Sequence, residues 1–329
     1  MSGSPTDDRA GRSRSSKRSE VTRILNMMGD QVVDAIAAAG LDVEVVPVPF
    51  GEELTIVPTG DVLFAAWHGH PLFERLDETG VRWMHLPGTG IDAWPRALLE
   101  GRTVTCARGV SAIPIAEYVL AAMLAFEKDV PATWLSEPPE HWNLASLGEL
   151  AGKTVGLVGL GGIGAAVVQR ALAFDMRVRA VRRNPGRDLL AGVELAKDLP
   201  DLLATADHVV LAAPGTASTK HLIDAAAFAA MKPGVHLVNI ARGSLVDQEA
   251  LRVALDDGRV ARATLDTVDP EPLPAGHWLY THPGVKLSAH VSWSSPRAFE
   301  RIIASFVDNL RRFVADEPLR GVIDVDEGY

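Results

Sequence analysis

From Val21 onward the chain alternates two hydrophobic rhythms. Short runs of consecutive apolar residues, rich in Val, Leu and Ile, are separated by longer stretches in which apolar residues recur every third or fourth position. The first rhythm suits a strand covered on both faces, and the second a helix lying on it. Their alternation is the pattern of a parallel α/β sheet. On this reading residues 23–27, 43–46, 61–66, 81–86 and 103–106 form strands. Residues 31–39 and 113–127 form helices, the second with Glu117 inside an otherwise apolar run.

A segment rich in Pro and Trp, 130–150, reads as a connector. A second α/β series follows, with strands at 154–158, 177–181, 208–211, 236–239 and 263–266 and a helix over 163–174. A last amphipathic helix, 297–314, comes after the final strand and is placed to cross back toward the first series. The expected fold class is α/β, with two Rossmann-like, doubly wound parallel-sheet domains.

The chain has 329 residues, 47% of them hydrophobic, enough for two cores. Its formal net charge of -10 argues against a general nucleic-acid binder and against attraction to an anionic membrane. No apolar run approaches the roughly 18 residues of a membrane helix. Cys106 is the single cysteine, which excludes an internal disulfide and points to a reducing cytoplasm. It reads as a small buried residue rather than a nucleophile. Residues 1–20 are Ser, Arg, Gly, Asp and Lys in the main and lack an apolar signal core, so they read as a disordered extension. His68 and His70 have no third ligand nearby, so no metal site is expected.

The first chemical motif is Gly159-Leu160-Gly161-Gly162-Ile163-Gly164, set directly behind the strand Thr154-Val155-Gly156-Leu157-Val158. The first glycine makes the tight turn, the second leaves room for a pyrophosphate, and the third lets the helix pack close to the sheet. A dinucleotide site is the expectation. An NAD site carries Asp or Glu about 20 residues on, where the ribose hydroxyls are read. Arg182 stands there instead, followed by Arg183 and Asn184, in a stretch that also holds Arg177, Arg179 and Arg187. A guanidinium clamps a 2'-phosphate that a carboxylate would repel, so NADP is expected over NAD.

Three further segments are not needed by a bare nucleotide-binding fold. Arg242 follows one predicted strand, Glu271 lies in the proline-stiffened loop after another, and His290 follows an apolar run. All three fall where open α/β sheets bind ligands. Reducing a 2-oxo acid needs a cation for the carboxylate and carbonyl, an acid to protonate the alkoxide, and a partner that keeps that acid protonated. Arg242, His290 and Glu271 suit these roles in turn, with Glu271 fixing the imidazole tautomer and favouring its charged form.

With these segments in view, the chain resembles the D-isomer-specific 2-hydroxyacid dehydrogenase family over residues 21 to about 325, in its NADP-preferring, glyoxylate/hydroxypyruvate reductase-like branch. The arginine signature matches Asn239 to Asp247, the acidic signature matches Leu265 to Pro274, and the family histidine falls on His290. The resemblance implies catalysis by Arg242, Glu271 and His290. It implies cofactor contacts from the glycine loop, Ala213, Pro214 and Ile240, and from Asp266 to the nicotinamide carboxamide. Pro87-Gly88-Thr89-Gly90-Ile91-Asp92 resembles the loop that binds the substrate carboxylate, which assigns substrate contacts to Thr89 and Gly90. Trp67 and His68 are assigned to the substrate side as well, although Trp67 and Trp293 also read as packing aromatics. The resemblance further implies a homodimer and a discontinuous substrate-binding domain of 21–118 with 296–329, the dinucleotide-binding domain being 119–295.

The chain departs from the family pattern at several places. Ala289 replaces the usual proline before the histidine, Ser292 a common glycine, Gly215 a frequent leucine and Cys106 a frequent asparagine. Ala66-Trp67-His68-Gly69-His70 replaces an Arg- or Ser-bearing loop, which counts against a phosphorylated substrate. The expected function is hydride transfer between NADPH and a small 2-oxo or 2-hydroxy acid. Oxidation of another small acid, and a dinucleotide-sensing, corepressor-like binding protein, are the alternatives.

Overall fold

The computed structural model describes residues 21–49, 51, 54–183 and 189–328. The expectations for residues 1–20, Asn184 and Arg187 lie outside the described residues.

The first domain begins with β1 (Thr22–Asn26), α1 (Asp30–Ala38), β2 (Val43–Pro47), β3 (Val62–Phe64) and β4 (Trp83–Leu86). It continues through a short α2 (Arg96–Leu99) and β5 (Thr103–Cys106). These strands form a five-stranded sheet in the order β2-β1-β3-β4-β5, every pairing parallel. The long α3 (Ala112–Glu127) then leads away, its Ile115, Val119 and Met123 buried in the core of the second domain.

The second domain runs through β6 (Thr154–Val158), α4 (Gly162–Ala173), β7 (Arg177–Val181), β8 (Val193–Leu195) and α5 (Leu199–Leu203). Next come β9 (His208–Leu211), α6 (Ala225–Ala230), β10 (Val235–Asn239), α7 (Gln248–Asp256), β11 (Val260–Leu265) and β12 (Val285–Leu287). The seven strands are ordered β12-β11-β10-β9-β6-β7-β8, again all parallel. The chain leaves β6 in one direction and returns to its other side at β9. This reversal opens a crevice at the carboxyl ends of the two strands.

α8 (Ala298–Val314) returns to the first domain, as its position after the last strand predicts. Ile302, Phe306 and Leu310 are buried there with Ile24, Phe64 and Trp83. The Phe306 ring stacks on Phe64 at 4.2 Å and on Trp83 at 5.6 Å between centroids. The first core is therefore incomplete without residues from both ends of the described chain. The strands and long helices expected from the sequence are present, with most ends shifted by a residue at most and those of β3, β4 and β11 by two or three. β8 and β12 are additional strands of three residues each, too short to show a rhythm.

Candidate active site

Gly159 leaves β6 at φ 103°, and a Cβ there would stand 2.8 Å from the backbone of Ala212 and Ala213. Only glycine lets β6 turn this close to the loop after β9. A Cβ on Gly161 would meet nothing within 4 Å, and this residue caps α4 without a side-chain bond. The first-turn amides of α4 thus open onto the crevice, the arrangement that receives a pyrophosphate. Gly162 is exposed, Ile163 packs partly on the core and Gly164 is buried against the carbonyl of Gly159. The residues fit a dinucleotide.

Arg182 and Arg183 directly follow β7, and Arg183 donates to Glu327 at 3.1 Å. The basic stretch is not one surface, however. Arg179 pairs with Glu194 and Asp201 and donates to Thr205 Oγ1, because its strand face lies against β8 and α5. Ala213 is half-buried, and the Pro214 carbonyl accepts from Thr219 Oγ1 at 2.7 Å, which closes that turn. Ile240 is assigned to the cofactor by the family resemblance. It is buried in the core with α3 and α4, since it continues the inward pattern of β10.

Arg242 follows β10 and reaches across to the first domain. Its Nε donates to Asp92 Oδ2 at 2.7 Å, and one terminal nitrogen donates to the Ala241 carbonyl at 2.7 Å. The other terminal nitrogen lies against Gly90, where a Cβ would be only 2.9 Å away. Gly90 therefore lies against Arg242, and the half-buried Thr89 precedes it in the same loop. The sequence assigns Asp92 no role; its partner is 150 positions away, and no local signal reveals the pair.

Next to Arg242, Gly243 packs on the Val268 backbone, and a Cβ would stand 1.8 Å from the Val268 carbonyl carbon. This close approach locks the arginine loop to the acidic loop. Val268 N in turn donates to Glu271 Oε1 at 3.0 Å, and Glu271 Oε2 meets His290 Nδ1 at 2.8 Å. With Nδ1 engaged, Nε2 is the atom left to move a proton. Arg242, Glu271 and His290 are thus joined in one continuous set of loops.

His290 has φ 53°, the left-handed region. Asp266 holds it there. The Asp266 carbonyl accepts from His290 N at 2.9 Å. Its carboxylate accepts from Val291 N and Ser292 N, each at 2.9 Å, and from the Ser288 hydroxyl. Tyr118 on α3 bonds the same Ser288 hydroxyl at 2.6 Å. Burial, the largest influence, would raise the Asp266 carboxyl, but the bonds from Ser288 and Ser292 and from the Val291 backbone outweigh it. They hold the group below its ordinary value as a carboxylate. Asp266 is 1% exposed, and all these described bonds run to the histidine-bearing loop.

Trp67 and Trp293 are 53% and 43% exposed, so they are not packing aromatics. Both lie on loops beyond strand ends, and Trp293 Nε1 donates to the His290 carbonyl at 2.9 Å. His68 is exposed with its ring edge-on to Trp94. His70 is buried, and its Nδ1 accepts from Leu72 N at 3.0 Å, a helix cap. Cys106 is buried as expected, and burial pushes its thiol up to about 12. Among the described residues, no group of His, Cys, Asp and Glu is placed to hold a metal ion.

The sequence profile described as D-isomer specific 2-hydroxyacid dehydrogenase, NAD binding domain, matches residues 120–292, more than half of the chain. The chain belongs to the D-isomer specific 2-hydroxyacid dehydrogenase family. D-3-phosphoglycerate dehydrogenase of Mycobacterium tuberculosis is 38% identical over 217 residues, 65% of this chain and 41% of that protein. The chain thus spans about two fifths of that relative's length. Glycerate dehydrogenase of Methylorubrum extorquens is 32% identical over 250 residues, covering 72% of this chain and 77% of that protein. Among solved structures, a family member from Xanthobacter autotrophicus Py2 in complex with NADPH and MES aligns with a TM-score of 0.80 and 27% identity. That alignment covers 94% of this chain and all of the other.

Proposed function

We propose that this chain transfers a hydride between NADP(H), favoured over NAD(H), and a small D-2-hydroxy acid or its 2-oxo partner. The observation that carries this reading is the 2.8 Å contact of His290 Nδ1 with Glu271, in loops locked to that of Arg242. The dinucleotide, when bound, supplies or receives the hydride. Arg242, beside Gly90 and Thr89, binds the substrate carboxylate and polarises the carbonyl. His290 gives a proton from Nε2 to the developing alkoxide and takes it back in the reverse direction. Glu271 orients the ring through Nδ1. Trp67 and His68, on the loop after β3, bound the substrate side of the crevice.

Arg182 and Arg183 at the end of β7 support the choice of NADP, since a carboxylate is missing where the ribose would be read. The names of relatives, which include glycerate dehydrogenase and glyoxylate reductase, support a small acid as substrate. A homodimer is supported by the connector, where Trp134, Trp142 and Leu144 are all more than 70% exposed. The cytoplasm remains the proposed compartment on the ground of the single buried cysteine.

Steady-state turnover of a panel of 2-oxo acids with NADPH and with NADH tests the reading. Turnover with NADPH at a higher kcat/KM than with NADH is the expected result. Tight dinucleotide binding with no turnover of any acid would instead leave the chain a binding protein.

A further inference from the structure

The segment after α8 returns to β5 and then spans the mouth between the domains. Cys106 N donates to the Gly321 carbonyl at 3.2 Å, and Ile323 N to the Val104 carbonyl at 2.9 Å. Ile323 is buried in the first core, which anchors the segment. Beyond that anchor the backbone folds into a turn. Asp324 Oδ1 accepts from Asp326 N at 2.9 Å and from Glu327 N at 3.0 Å, and Gly328 N donates to the Asp324 carbonyl at 2.9 Å. The turn presents two carboxylates to opposite sides. Asp326 pairs with Arg96 of the first domain, and Glu327 pairs with Arg183 of the second at 3.1 Å. Gly328 lies beside Thr216, in the turn that follows Ala213 and Pro214.

We propose that Glu327 is a cofactor-discriminating residue: its carboxylate lies on the Arg183 guanidinium as a surrogate for the ribose 2'-phosphate, so NADPH must displace it and NADH need not. The inference rests on the assignment of Arg183 to that phosphate. A carboxylate and a phosphate monoester compete for the same planar donor fork, and the phosphate carries the greater charge. The resident pair is exposed on both sides, 65% and 56%, so it is weak enough to yield. Its effect is to moderate the preference for NADPH rather than to block it. Anchoring by Ile323 and the Asp324 turn keeps the competing carboxylate at hand without a large ordering cost at each exchange.

The test is a double-mutant cycle on dissociation constants for NADPH and NADH, with Glu327→Gln, Arg183→Ala and the pair together. Glu327→Gln is expected to tighten NADPH by about two- to fivefold and to leave NADH unchanged. In the Arg183→Ala background the same change is expected to do nothing. If Arg183→Ala weakens NADPH but Glu327→Gln has no effect, the assignment of Arg183 survives and the surrogate role is overturned. If Arg183→Ala leaves NADPH binding as it was, the cofactor assignment itself fails and the inference with it. Equal shifts for both dinucleotides on Glu327→Gln would show that the segment governs access to the crevice, and would also overturn the proposal.

Discussion

Replacing Asp266 by asparagine separates two roles for the same carboxylate. The family resemblance directs it toward the nicotinamide carboxamide, whereas the geometry commits it to the loop that carries His290. In Asp266→Asn one oxygen survives as an acceptor for Val291 N and Ser288 Oγ, but the other becomes an amide nitrogen facing Ser292 N. Two buried donors then confront each other. Leaving a buried donor unpaired costs about 1–3 kcal/mol, so the substitution should cost roughly 2–4 kcal/mol. For a domain of this size that lowers Tm by roughly 5–15 °C. A loop held less firmly also lets His290 drift, and a misplacement on the order of 1 Å costs about a hundredfold in kcat.

Because the folded carboxyl is held below its ordinary value of 3.8, its contribution is present above that value and lost as pH falls through the lower one. The Tm deficit of the variant should therefore be the same at pH 6 and pH 9. Differential scanning fluorimetry at those two pH values, beside kcat and a dinucleotide titration, is the assay. A variant with wild-type Tm and weakened dinucleotide binding would refute the structural argument in favour of a carboxamide contact.

Arg242→Ala should abolish nearly all turnover while dinucleotide affinity, read by fluorescence titration, stays within about threefold, because the described hydrogen bonds of its guanidinium are with Asp92 and Ala241 and its free edge lies beside Gly90. His290→Gln should lower kcat by about 10²–10⁴-fold with the fold intact by circular dichroism; near-normal turnover would remove it from proton transfer. His85, buried beside Thr105, is depressed by burial from 6.5 to about 3, so it is neutral when folded, and stability is lost as pH falls from 6.5 toward 3. Each pH unit is worth about 1.4 kcal/mol, so between pH 6.5 and 5 the wild type should lose roughly 2 kcal/mol more than His85→Phe in urea titrations; parallel losses would count against this account.

The parts legible in the sequence share one property: their information is local. Strands such as β6 and β9 are continuous apolar runs, α8 shows a clear polar and apolar face, and Arg242, Glu271 and His290 each lie in a short recognisable segment. What escaped the sequence depends on contacts between distant positions. The pairs Arg242–Asp92, Tyr118–Ser288 and Arg183–Glu327 are separated by 150, 170 and 144 positions. Nothing in the rhythm around Arg179 tells that Asp201 claims it, or that Ile240 continues inward from β10. The packing of Gly215 belongs here as well. A Cβ there would come within 2.9 Å of the Arg242 side chain, so the leucine frequent at this position has no room beside this arginine rotamer.

The left-handed backbone of His290 carries a consequence for any attempt to improve this protein. Holding a non-glycine residue at φ 53° costs about 1–2 kcal/mol, which the bonds to Asp266 offset. Asparagine tolerates that conformation better than histidine does, and contributes no acid of use to the reaction. Selection for heat resistance alone would therefore erode position 290 early, producing sturdier and inert descendants. Selection for turnover would keep the less stable residue in place, along with the neighbours that restrain it.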